Sequence, residues 1–257
     1  MAKYSLCIEA VLDGEVDFYD RIALAKDLGY DAVEFWDPAD KDTAKIARLS
    51  AQHNIPVAIC CVKNAWGDLF RMSEEPARVL KNVEESAKIA KDMGAKSLIG
   101  LSGDVKGHAY DETVVLIDNL KRCADVLEKE GVTLNLEALN SIVDHKGYFL
   151  DSSFVGFNIM KAVNSSNVRL LFDCYHMQIM EGNLVQNITN NISHIGHFHS
   201  AGVPGRNELM GGETNYEKII KTVDSLGYDR YFGLEYWTSY DSIQSLKDTI
   251  AYLRSIG

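Results

Sequence analysis

One alternation runs the length of the chain and leaves few folds open to it. A short apolar run is followed by a longer amphipathic segment, often closed by a glycine, and then the next apolar run begins. Strands are expected at 4–10, 32–36, 56–62, 97–100, 133–137, 168–173, 192–199 and 231–236. Helices are expected at 16–28, 43–54, 75–93, 111–130, 154–163, 216–226 and 242–255, with a weak one around 182–187. The apolar runs are continuous rather than alternating, as parallel strands covered on both faces require. Glycines just past helix ends supply left-handed caps. Gly29-Tyr30-Asp31 and Gly227-Tyr228-Asp229 use the same helix-to-strand turn twice. Eight βα units in 257 residues predict an α/β fold, a (β/α)8 TIM barrel spanning residues 1–257 as one domain. An open doubly wound sheet is the runner-up. It usually has fewer strands, and no G-x-G-x-x-G turn follows the first strand.

A barrel places function at the C-terminal ends of its strands. The fifth strand ends at Glu137, the sixth at Asp173, the seventh at His199 and the eighth at Glu235. Taken singly, a strand-end acid is often a helix cap or a solvated rim charge. Four metal-binding groups on four successive strands are harder to dismiss. Three carboxylates converging on a barrel axis repel, each pair ~5 Å apart by ~3 kcal/mol at an effective dielectric of about 20. A divalent cation removes that repulsion. An oxygen-rich set with one imidazole suits Mn²⁺, Mg²⁺ or Co²⁺ better than a structural Zn²⁺. On the seventh strand His197 and His199 share one face. A glycine- and proline-punctuated loop, Gly202 to Gly205, follows and carries Arg206.

Composition narrows the partners. A formal net charge of −11 disfavours a nucleic-acid backbone or an anionic membrane surface. No apolar run reaches the ~18 residues of a membrane span. The N-terminal stretch meets an acid at Glu9 and reads as a first strand rather than a signal peptide. The cysteines number five and lack C-x-x-C spacing, which points to a reducing cytoplasm; Cys60, Cys61 and Cys174 lie within apolar runs and read as small core side chains. A homo-oligomer is compatible with this composition.

Several motifs carry a resemblance. They are Gly29-Tyr-Asp-Ala-Val-Glu-Phe35, Leu136-Glu-Ala-Leu-Asn140, Phe172-Asp-Cys-Tyr-His-Met-Gln178, Gly196-His-Phe-His-Ser-Ala-Gly-Val-Pro-Gly-Arg206 and Gly233-Leu-Glu-Tyr236. With them the chain resembles the hydroxypyruvate isomerase family. That family belongs to the xylose-isomerase-like barrels, which include ketose 3-epimerases and endonuclease IV. The resemblance implies one divalent metal on Glu137, Asp173, His199 and Glu235. It also implies His176 near metal and substrate, and Arg206 on a substrate oxygen or carboxylate. It departs at one position, where the isomerases carry Gln and this chain carries His199, as the ketose epimerases do. A small polyol or keto-acid substrate is implied, with hydroxypyruvate, tartronate semialdehyde or a 2-oxo-tetronate foremost.

The expected chemistry is proton transfer. A metal chelated by a carbonyl and its neighbouring hydroxyl acidifies the C–H between them and stabilises the enediolate. Glu137 and Glu235 are the expected proton carriers on opposite sides. Proton return to the adjacent carbon isomerises; return to the opposite face of the same carbon epimerises. Asn140, Glu34 and Trp66 are further candidates for substrate contact, each weighed against an ordinary rim or loop role. His145 and Lys146 rank lower, as solvated loop residues. His197 is expected to pack inside the barrel or to support the site from behind. Three readings compete. A retaining glycosidase would leave Asp173 and His199 surplus. An endonuclease IV-like phosphodiesterase would need more His and Asp at the second and third strand ends than Glu34 and Asn64 provide. A non-catalytic sugar-binding protein would bind without exchanging substrate C–H.

Overall fold

The computed structural model describes residues 2–12 and 14–257. Met1 and Asp13, both in the N-terminal stretch read above against a signal peptide, lie outside the described residues. Eight strands close into a barrel in chain order. They are β1 (Lys3–Cys7), β2 (Ala32–Phe35), β3 (Val57–Cys61), β4 (Ser97–Leu101), β5 (Thr133–Glu137), β6 (Val168–Asp173), β7 (Ile195–Ser200) and β8 (Tyr231–Leu234). Every pairing is parallel, and β1 closes on β8. The surrounding α-helices are α1 (Asp20–Asp27), α2 (Thr43–His53), α3 (Pro76–Asp92), α4 (Ala109–Glu130), α5 (Ser153–Val163), α6 (Cys174–Met180), α7 (Leu184–Asn191), α8 (Tyr216–Ser225) and α9 (Ser242–Ile256).

Local chemistry marks the helix ends. Asp42, Asn215 and Asp241 each accept a backbone N–H three residues on, and so begin α2, α8 and α9. Asn54, Gly131 and Asn164 close α2, α4 and α5 in the left-handed conformation. One helix has no counterpart in the sequence reading. α6 follows β6 without a loop, and Cys174, Tyr175, His176 and Met177 are buried in succession. A helix buried all round has no 3.6-residue stripe, so periodicity could not reveal it. Its start is set by Asp173, whose carboxylate caps it.

Side-chain alternation on the strands divides the interior in two. On β7, Phe198 packs toward the outer helices, in contact with Phe172, Phe232 and Tyr228 at ring-centroid distances of 5.0–6.0 Å. His197 and His199, on either side of it, point into the barrel, with ring centroids 5.2 Å apart. Register then levels the inward residues. Asp173 pairs with His199, His199 with Gly233, and Gly233 with Ser5. That ring lies just beneath the C-terminal mouth.

Candidate active site

Glu137 and Asp173 are the last residues of β5 and β6, His199 is next to last on β7, and Glu235 directly follows β8. One ligand atom from each of the four lies within 4.8 Å of all the others. All four side chains are buried. His199 Nδ1 is 3.1 Å from Glu137 Oε1 and 3.6 Å from Glu235 Oε2. Asp173 Oδ1 accepts the backbone N–H groups of Tyr175 and His176 at 2.7 and 3.2 Å. Its other oxygen therefore remains for the site, 3.5 Å from His176 Nε2.

The charges show strain of a definite sign. Burial, reinforced by Glu137 and Glu235, lifts the Asp173 carboxyl to about 7 despite Arg206 and His199. His199 is pushed well above its ordinary value: burial opposes the charge, but Glu235, Glu34 and Glu137 outweigh it. Glu235 is lowered against burial by His199, Arg206 and the indole of Trp36. A site that holds its imidazole positive among buried carboxylates, and lifts one of those carboxyls to about 7, is short of positive charge. Three carboxylates and one imidazole with converging atoms fit a divalent cation of the oxygen-preferring kind. Among the described residues a second convergent set consists of Glu34, His197 and His199.

Arg206 reaches this site from the loop after β7. Its backbone is in the left-handed region at φ 57°, a conformation rare outside glycine. Gly202 N–H donating to Asn207 C=O, and Trp237 N–H donating to Arg206 C=O, pin the loop on both sides. The guanidinium lies 4.6 Å from the Trp237 ring centre and 5.2 Å from that of Tyr175. Its Nη2 donates to Glu235 Oε2. Its buried Nε–H has no partner.

His176 is also set up as a donor. Asn140 Oδ1 accepts the N–H groups of Val143 and Asp144 at 3.0 and 2.9 Å, so its Nδ2 is the donating end. That Nδ2 meets His176 Nδ1 at 2.7 Å. Nδ1 is therefore the acceptor, and the ring proton sits on Nε2, which is buried and unpartnered. Burial, with Arg206 nearby, holds His176 well below its ordinary value and hence neutral.

The remaining sequence candidates fall in different places. Trp66 lines a cavity of about 220 Å³ together with Glu137, Glu235, Arg206, Leu139 and Trp237. Its ring stacks on His145 at 6.1 Å. His145 also lines the cavity and packs 5.4 Å from His176, so it is part of the wall and not a solvated loop residue. Asn140 is fully buried behind His176 and does not line the cavity. Glu34 does not line it either. It accepts from Ser5 Oγ at 2.7 Å and lies 2.9 Å from His197 Nε2, beneath His199. The sequence reading omitted Trp36, which follows β2, lines the cavity and donates its indole N–H to Glu235 Oε1 at 2.6 Å. An aromatic at a strand end was the available signal.

Comparison with known proteins agrees with this geometry. Residues 22–256 match the family described as xylose isomerase-like TIM barrel. A 2-oxo-tetronate isomerase of Cupriavidus necator is 31% identical, covering 88% of this chain and 90% of that protein. A hydroxypyruvate isomerase of Escherichia coli is 29% identical, with the same shares of 88% and 90%. The crystal structure of an AP endonuclease, family 2, from Brucella melitensis superposes with a TM-score of 0.90 at 28% identity, over 99% of each chain. Ketose 3-epimerases are also structural neighbours, at identities that speak to the fold alone. The sequence relatives named by activity are isomerases, and this chain is an enzyme of the isomerase–epimerase type. The chain belongs to the xylose isomerase-like TIM barrel family.

Proposed function

We propose that this enzyme isomerises a small 2-keto acid of the hydroxypyruvate or 2-oxo-tetronate type, and that a divalent ion held by Glu137, Asp173, His199 and Glu235 supports it. The observation that carries the reading is that Glu137 and Glu235 line one small cavity together with Arg206 and the rings of Trp36, Trp66 and Trp237. When bound, the ion would acidify the C–H between a carbonyl and its hydroxyl neighbour and offset the charge left by proton loss. The chain's own groups do the rest. One of the two glutamates takes the proton from the substrate carbon, and a carboxylate returns it to the adjacent carbon. His176 Nε2–H, fixed as a donor by Asn140, faces the oxygen on which negative charge grows. Arg206 Nε–H and the guanidinium edge facing the cavity meet the substrate carboxylate. Trp36 orients the Glu235 carboxylate by holding Oε1. Trp66, His145 and Trp237 exclude water from one side.

A ketose 3-epimerase on free sugars is the second reading, favoured by the imidazole at position 199 where the isomerases of the family carry an amide. The test is incubation with Mn²⁺ or Mg²⁺ in deuterated water, with hydroxypyruvate, 2-oxo-tetronates and free ketoses followed by NMR. Deuterium uptake and carbonyl migration in a keto acid support the proposal. Exchange with stereochemical inversion in ketoses alone would replace it with the second reading. Binding without exchange would leave a non-catalytic sugar-binding protein.

A further inference from the structure

Glu34 lies inside the barrel, nearly fully buried, yet outside the cavity. Three groups surround its carboxylate. Ser5 Oγ donates to Oε2 at 2.7 Å, and His197 Nε2 lies 2.9 Å from the same oxygen. The other oxygen, Oε1, lies 3.1 Å from His199 Nε2. That last pair is close but not aligned as a hydrogen bond, and each of its atoms is buried with no hydrogen-bond partner. His199 thus has two distinct sides. Nδ1 faces Glu137 and Glu235, and Nε2 faces Glu34.

The contact requires Glu34 to reach from β2 past β1 and β8 to β7. Gly233 on β8 leaves the room. A Cβ at that position would overlap both oxygens of Glu34 and come 2.8 Å from His199 Cδ2. Gly233 pairs in register with His199 on one side and with Ser5 on the other. One ring of the barrel therefore holds the gap, the anchor and the imidazole. The space that glycine leaves is the space the Glu34 carboxylate occupies beside His199.

We propose that Glu34 is a positioning residue for His199. It keeps the proton on Nε2 and so presents the Nδ1 lone pair to a divalent ion among Glu137, Asp173 and Glu235. Ser5 and His197 hold the carboxylate in place. A carboxylate serves here because it only accepts: Ser5 donates to it, His197 Nε2 meets the same oxygen, and its other oxygen faces His199 Nε2. An amide would turn one end into a donor, aimed either at the Ser5 and His197 side or at His199 Nε2. Carboxylates behind metal-bound histidines commonly set tautomer and orientation in this way. The inference rests on the four-residue set being the metal site.

The test is Mn²⁺ binding to the intact protein by calorimetry, in wild type and Glu34→Gln. Wild type is expected to bind one ion, and Glu34→Gln to bind it about 10–100-fold more weakly. Failure of wild type to bind overturns the metal-site reading and this inference with it. Unchanged affinity in Glu34→Gln, with wild-type binding intact, overturns only the role of Glu34. A second ion in wild type that Glu34→Gln loses also overturns it, by making Glu34, His197 and His199 a ligand set. Should Glu34→Gln fail to fold, ¹⁵N NMR of the wild type loaded with Zn²⁺ decides. The expected signature is a proton on His199 Nε2 and none on Nδ1; the reverse assignment overturns the proposal.

Discussion

At the scale of single residues, the site divides labour by what holds each side chain. Glu235 carries Trp36 on Oε1 and Arg206 on Oε2, so its carboxylate is oriented before any substrate arrives. Glu235→Gln keeps the shape and removes the base. We expect kcat to fall by about 10²–10⁴, with the circular dichroism spectrum unchanged; wild-type rates would remove Glu235 from the proposed reaction. Arg206→Lys keeps the charge but loses the planar fork and its stacking on Trp237. Its expected signature is a KM for keto acids raised about tenfold or more, one lost charge-assisted hydrogen bond being worth ~1.5–3 kcal/mol. Neutral ketoses should show a smaller rise in parallel assays. The strand-end residues behind these predictions could be read from the chain because a barrel strand exposes its last residue at one face. The partners could not. Trp36 and Glu235 are 199 residues apart in sequence.

At the scale of elements, the loop after β7 is the piece whose order the chemistry needs most. Glu208 ties it to the last helix. Its carboxylate accepts Ser239 N–H at 2.9 Å, Ser239 Oγ–H at 2.7 Å and Ser245 Oγ–H at 2.7 Å. Burial would raise its pKa, but the hydroxyls of Ser239 and Ser245 hold it below the ordinary value. A carboxyl depressed in the folded state contributes stability that is complete above its unfolded pKa, about 4.3, and is lost as pH falls through the folded value. Glu208→Gln is therefore expected to be less stable at pH 7 by about 1–3 kcal/mol. Urea denaturation in parallel should show the gap between variant and wild type closing below about pH 4. A gap that stays constant down to pH 3 would mean that packing, not the charge, is what Glu208 supplies. The short helix α6 teaches the complementary lesson. It is set by one capping carboxylate at a strand end, and that same carboxylate belongs to the candidate metal set.

At the scale of the whole molecule, closing the barrel gathers Glu34, Glu137, Asp173 and Glu235 around His199. Among the described residues no helix is long and apolar enough to cross a membrane, and the described chain is organised around this enclosed charge. An ion bound only by the folded state adds RT ln(1 + [L]/Kd), about 2.7 kcal/mol at a hundredfold excess over Kd. For a chain of this size that is a rise in Tm of about 5–10 °C. Calorimetry with Mn²⁺ and with a chelator should show that interval, and no shift would argue against the site. The sequence by itself determined the number of βα units and which residues end the strands. Those follow from local patterns of burial and from chain topology. It also placed Glu137, Asp173, His199 and Glu235 at one mouth, since strand order alone does that. Only the tertiary structure decided which polar groups share a wall. Asn140 turned out to set the proton on His176, and Glu34 to lie beneath His199. Contacts such as Glu34 with His197, 163 residues apart, form only when the sheet closes and a glycine leaves space between the strands. No periodicity in a single chain records where such a gap will be.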